Sequence, residues 1–243
     1  MISQGLREQL EGWEILFPFF ESNEWPKIKE ALKSDINNLT PEIRVWFRAF
    51  KEAKYKDIKV VWLGLSPYYN KDKYTNDNVA DGLAFSTSQT HSVPPSLFQL
   101  YKGLEYDQYE GMNLNMYRSN ELTFLAKEGV LLLNSALTTT YGKPDSHLEI
   151  WKPFIEYVLK VLNDKEGVIF CGFGKVANTL LTCIDKEKHV VFEREHPAAA
   201  AYRNDYWKHE KLFTLVDQEL VKQGKHSICW DEHLVEGIKN LPF

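Results

Sequence analysis

The spacing of apolar positions changes near residue 58. Before it, apolar residues recur at helical intervals. Trp13, Ile15, Leu16, Phe19 and Phe20 form one cluster, and Trp25-Pro26 opens a second stretch with proline at an early helical position, where its missing N–H costs nothing. Thr40-Pro41-Glu42 predicts a third helix, capped by Thr40 and running through Val45, Trp46, Phe47 and Phe50. From residue 58 come four short, apolar runs, the first rich in β-branched residues: 58–64 (IKVVWLG), 129–134 (GVLLLN), 167–172 (GVIFCG) and 189–192 (HVVF). Runs of this length and composition predict buried strands. Helical patterns lie between and after them, at about 95–105, 151–162, 175–181 and 207–221.

Strand, helix, strand at this spacing predicts an α/β fold, a three-layer α/β/α arrangement around a central, mainly parallel four-stranded sheet. No Ser/Gly linker, repeat or long charge run divides the chain. Residues 1–243 are therefore read as a single domain, with the helical segment 1–55 packed on it. In such sheets ligands sit beyond the carboxyl ends of the strands. Residues 65–70, 134–138, 172–174 and 196–201 are thus expected to converge on one crevice.

Composition narrows the class. The 243 residues are 44% hydrophobic and 26% charged, enough apolar surface for a full core and too few glycines and prolines for a low-complexity chain. A net charge of −5 argues against a general nucleic-acid coat, so any nucleic-acid site must be a local patch of Lys, Arg, backbone N–H groups and helix N-termini. Cys171, Cys183 and Cys229 have no C-x-x-C spacing, which points to free thiols rather than a disulfide frame or zinc site. No apolar stretch suits a signal core or a membrane span. The expected location is cytoplasmic, or another intracellular compartment holding DNA, such as a nucleoid or nucleus.

The strand ends carry the candidate chemistry. His196, before Pro197, suits a general acid, a donor to an anionic leaving group, or a hydrogen-bonded structural residue. Asn134, after three leucines, suits either a reader of a planar amide-like ligand or a turn cap. Phe85 in GLAFS suits a stacking platform or the core. Pro67 fixes a rigid turn after Gly64-Leu65-Ser66. Pro94-Pro95-Ser96-Leu97 starts a helix whose free N–H groups suit a phosphate.

Taken in order, these segments resemble the uracil-DNA glycosylase family from roughly residue 13 to residue 220. VVWLGLSPYY (60–69) is similar to its water-activating strand and loop, GLAFS (82–86) to its base-stacking segment, and PPSL (94–97) to its phosphate-contacting loop. GVLLLNSALT (129–138) is similar to its uracil-reading strand. Ser146-His147 with Trp151 and Phe154 also fits, and His196-Pro197 resembles the start of its DNA-intercalating loop.

The resemblance implies that Asn134 reads the Watson–Crick edge of a flipped uracil, Phe85 stacks on it, and Tyr68 crowds the 5-position against thymine. It implies that His196 donates to the uracil oxygen as the glycosidic bond breaks. Pro95, Ser96, Tyr69, Ala200 and Arg203 are then expected against DNA. No metal or organic cofactor is implied, and a monomer is expected.

The chain also departs from the family. Ser66 stands where the family keeps an aspartate that orients water and stabilises the cationic sugar, a change expected to cost about 10²–10⁴-fold. Leu65 replaces a glutamine that acts partly through its backbone, and Tyr69 replaces a histidine near DNA phosphate. The alanines at 198–201 lack the family's wedge leucine, so single-stranded or destabilised DNA is expected to be favoured. The long link 70–81 carries Asp72, Asp77 and Asp81, read either as a source of a replacement carboxylate or as a solvated loop. Three activities fit: uracil excision with altered water activation, excision of a modified pyrimidine as in viral DNA, or DNA or partner binding without turnover.

Overall fold

The computed structural model describes residues 2–88, 90, 92–108, 119–203 and 205–231; residues 232–243 of the expected single domain lie outside the described residues. The strands are β1 (Leu39–Thr40), β2 (Val60–Gly64), β3 (Val130–Asn134), β4 (Thr139–Thr140), β5 (Ile169–Phe173) and β6 (Val190–Arg194). The helices are α1 (Gln4–Gln9), α2 (Phe17–Glu21), α3 (Glu24–Lys33), α4 (Arg48–Glu52), α5 (Pro95–Gln108), α6 (Thr123–Lys127), α7 (Leu148–Asn163), α8 (Lys175–Leu180), α9 (Pro197–Arg203) and α10 (Leu212–Lys222). The four predicted strands form one parallel sheet in the order β3-β2-β5-β6. Every residue of β2, β3 and β5 is buried, as uninterrupted apolar runs require when helices cover both faces. β3 and β6 are the two edges; β3 is buried, whereas β6 carries the charged Glu193 and Arg194, which suit an unpaired strand side.

Helix α7 buries Trp151, Phe154, Ile155, Val158, Leu159 and Leu162, the stripe expected at 3.6-residue spacing. The N-terminal aromatics pack on that stripe. Phe19 and Phe47 meet Phe154 edge-on at 5.1 and 5.8 Å.

Three local expectations are corrected. Thr40 does not cap a helix. It pairs with Thr139 in a two-stranded antiparallel sheet, and after a 3-10 turn at Ile43–Val45 α-helix begins only at α4, because a residue before proline is disfavoured in the α region. The last helix begins at Leu212, not at Trp207. Glu210 and Lys211 both take left-handed φ, 49° and 57°, a conformation that cannot propagate a right-handed helix. The segment after His196 is helix α9 rather than a loop; Pro197 at its first position and four alanines behind it are strong local helix formers.

Candidate active site at the sheet's carboxyl edge

The register of the two central strands builds the first half of the site. Gly64 ends β2 directly opposite Asn134 at the end of β3, and both the N–H and the hydroxyl of Ser135 donate to the Gly64 carbonyl. A Cβ on Gly64 would lie 2.5 Å from Asn134 Oδ1 and 3.5 Å from Phe85 Cε2. Only glycine leaves room for the two side chains to meet there. Asn134 is 8% exposed, and among the described residues nothing hydrogen-bonds its side-chain amide.

Phe85 occupies a left-handed position, φ 66°, in a turn that Asp81 organises. The Asp81 carboxylate accepts from Leu83 N–H and Ser86 Oγ–H and pairs with Arg48 at 3.0 Å. The ring rests edge-on against Phe173 at 5.0 Å and lies 5.6 Å from the His196 ring. Tyr68 Oη donates to the Phe85 carbonyl at 2.9 Å and lies 3.0 Å from Ser96 Oγ. Thr40 Oγ1–H donates to the Tyr68 carbonyl. Tyr68 is thereby held at both ends.

His196 approaches from β6. Its Cβ lies 3.0 Å from where a Cβ on Gly174 would stand, and Gly174 has φ 91°, so glycine is required there on both counts. His196 Nδ1 accepts from the Ala198 N–H at 3.2 Å. The neutral ring therefore carries its proton on Nε2. Burial lowers the imidazole pKa to about 4, against the opposite pull of Asp145. At neutral pH His196 is an uncharged N–H donor.

Ser66 and Leu65 are half-buried at the mouth. Ser66 Oγ–H donates to Asp145 Oδ1 at 2.5 Å, within the range of hydroxyl bonds to carboxylate. Asp145 was not singled out in the sequence, although it directly precedes Ser146-His147. The aspartates of the long link are placed otherwise. Asp72 is buried and accepts from the N–H groups of Tyr74 and Thr75, Asp81 is committed as above, and Asp77 is exposed.

Contacts thus link Asn134, Phe85, Tyr68 and His196 as neighbours, with Ser66 tied to Asp145 beside them, and the residues expected against DNA are left in mixed positions. Pro95 is exposed at the start of α5, and Tyr69 is 39% exposed. Ser96 is buried, with its hydroxyl turned inward to Tyr68. Ala200 is wholly buried, and its expected DNA contact is corrected: α9 turns that methyl toward the protein. Arg203 donates to both oxygens of Glu195, at 2.6 and 2.8 Å. Tyr202, beside it, is 84% exposed. No helix among the described residues is long and apolar enough to cross a membrane.

No family model matches the chain. Individual proteins do. It is 36% identical over 240 residues to a uracil-DNA glycosylase of Campylobacter lari, with 96% of each chain covered. It is 30% identical over 222 residues to one of Lactobacillus delbrueckii, covering 90% of this chain and 93% of the relative. Among solved structures, mimivirus uracil-DNA glycosylase superposes with a TM-score of 0.81 at 22% identity, covering 90% of this chain and 86% of that one. The wild-type UNG of Nitratifractor salsuginis gives 0.62 at 21%, covering 88% and 94%.

Proposed function

The chain belongs to the uracil-DNA glycosylase family, and from that premise we propose how its own residues excise uracil from DNA. The reaction is hydrolysis of the N-glycosidic bond. The observation that carries the reading is the juxtaposition of three groups in one crevice: the open amide of Asn134, the Phe85 ring, and the Nε2–H of a neutral His196.

A flipped uracil is planar, with one face for Phe85 and an N3–H/O4 edge matching the carbonyl and amino groups of an amide. As the C1′–N1 bond breaks, its electron pair leaves with the base and negative charge gathers on the ring oxygens. A neutral N–H donor already aimed at that charge stabilises it without first losing a proton. Tyr68, pinned between Thr40, Phe85 and Ser96, stands at the 5-position. Its fixation disfavours excision of a pyrimidine with a bulky 5-substituent.

DNA is the partner, and the finer reading is that single-stranded or destabilised DNA is processed faster. α9 offers alanines and the ring of Tyr202 where an aliphatic wedge would offset the cost of base flipping. The test is incubation with a uracil-containing oligonucleotide followed by alkaline cleavage at abasic sites. The wild type is expected to cleave at uracil, and His196→Ala and Asn134→Ala to lose most of that activity. Binding of DNA without any abasic product would refute the assignment.

A further inference from the structure

The mouth of the crevice holds a carboxylate that no strand end supplies. Asp145 lies in the turn before α7 and reaches across 79 positions of sequence to accept from Ser66 Oγ–H at 2.5 Å. Its backbone is in the left-handed region, φ 60°, an uncommon conformation for a residue with a side chain. Such a conformation persists where its surroundings over-determine it, as at functional sites. Those surroundings are visible. The Thr140 N–H donates to Ser146 Oγ. The His147 ring lies 2.9 Å from Thr138 Oγ1 and 3.1 Å from Thr140 Oγ1. The Leu148 N–H reaches the Asp145 carbonyl. The charge of Asp145 also acts on His196, against the effect of burial.

We propose that Asp145 supplies the negative charge and the proton acceptor of the hydrolysis, with Ser66 as the relay between it and the attacking water. The inference rests on the uracil-excision reading above. When the C1′–N1 bond breaks, the base departs with the electron pair and the sugar is left cationic. The oxygen of one water forms the new bond to C1′. One proton of that water passes to Ser66 Oγ as the serine's own proton passes to Asp145 Oδ1. The carboxylic acid then returns its proton to the departed base or to solvent. One water enters, an abasic sugar and a free base leave, and nothing is oxidised or reduced.

A serine nucleophile does not fit this arrangement. Ser66 is bonded to a carboxylate rather than to an imidazole, and His196 Nδ1 is occupied by the Ala198 N–H. The other reading of the Ser66–Asp145 bond is that it merely fixes the turn. The two readings part on charge. A structural bond serves any ligand equally, whereas a facing carboxylate favours a cationic sugar over a neutral one.

The test uses the full chain with Asp145→Asn, which keeps the shape and tolerates left-handed φ, and Asp145→Gly as a second variant for which that φ is unstrained. Three readouts are taken: excision of uracil from a single-stranded oligonucleotide, affinity for an oligonucleotide carrying neutral tetrahydrofuran in place of the sugar, and affinity for one carrying a protonated pyrrolidine there. Asp145→Asn is expected to slow excision by about 10²-fold or more. It should weaken pyrrolidine binding at least about tenfold and leave tetrahydrofuran binding within about threefold. Adding Ser66→Asp to Asp145→Asn should restore at least about tenfold of the lost rate. Wild-type excision by either Asp145 variant, or equal loss of both analogues, would overturn the proposal. A wild type that prefers pyrrolidine through Asp145 but releases no uracil would refute the uracil reading instead.

Discussion

The neutrality of His196 can be tested by acid. Burial takes its pKa from the ordinary value to about 4. In the unfolded chain the same imidazole titrates near about 6.5. Between those values the unfolded chain binds a proton that the folded one refuses, so stability falls as the pH falls. The sign follows from the lowered value: this contribution is fully present above about pH 6.5 and is lost progressively toward pH 4. From pH 7 to pH 5 the loss is about 2 kcal/mol, or about 4–8 °C in Tm for a chain of this size. Burial also lowers His147 and His209, which act in the same direction, so the measurement is a difference. His196→Gln keeps a side chain of similar size with no titration, and should remove about 4–8 °C of the acid-induced fall in Tm. Proton NMR should place the His196 midpoint near 4, and the excision rate should show no imidazole inflection near pH 6.5. A midpoint near 6.5, or an unchanged acid-induced fall in Tm for His196→Gln, would refute the burial argument and with it the neutral donor.

Three further outcomes are expected. Gly64→Ala puts a methyl 2.5 Å from Asn134 Oδ1 and should displace that amide at a cost of about 1–3 kcal/mol, seen as a 10- to 100-fold slower excision by a chain whose circular dichroism is unchanged; wild-type excision by Gly64→Ala contradicts the role given to Asn134. The Arg203 guanidinium holds Glu195 below the ordinary carboxylate range, so Glu195→Ala should free Arg203 and steepen the salt dependence of DNA affinity by about one unit of slope. An unchanged slope argues against Arg203 as a phosphate contact. Excision from single strands should outpace excision from duplex, and equal rates on both would show that α9 handles duplex DNA without an aliphatic wedge.

How much of this was legible depended on the range of the interactions involved. The four strands were readable because their signal is local: a run such as VVWLG is β-branched, apolar and closed by glycine whatever lies elsewhere. The nearness of Asn134 and His196 followed from topology, since parallel strands deliver their carboxyl ends to one edge, whereas Phe85 lies on no strand end and was expected there from the resemblance alone. Thr40 was misread because its partner is Thr139, far along the chain, and local propensity yields to tertiary pairing. The start of α10 was misread because the left-handed φ of Glu210 and Lys211 leaves no mark in side-chain chemistry. Asp145 was missed for a related reason. Its neighbours Ser146 and His147 carried the family's pattern, but what matters at 145 is a contact with residue 66.

The placement of the two charged or chargeable groups explains why they can coexist. A carboxylate near an imidazole ordinarily raises the imidazole's pKa and ends in an ion pair. Such a pair would consume the charge that the sugar needs and would leave an imidazolium where a neutral donor suffices. Here burial outweighs the carboxylate and His196 stays neutral, while Asp145 takes its hydrogen bond from the uncharged Ser66 hydroxyl. Among the described residues no cation pairs with Asp145, which on the proposed reading leaves the carboxylate to face the sugar as the glycosidic bond breaks. The serine at position 66, read from the sequence as a loss, becomes the group that holds the carboxylate in place without neutralising it. Its replacement by alanine should accordingly loosen Asp145 and slow excision, while the stacking and edge contacts made by Phe85 and Asn134 continue to bind the base.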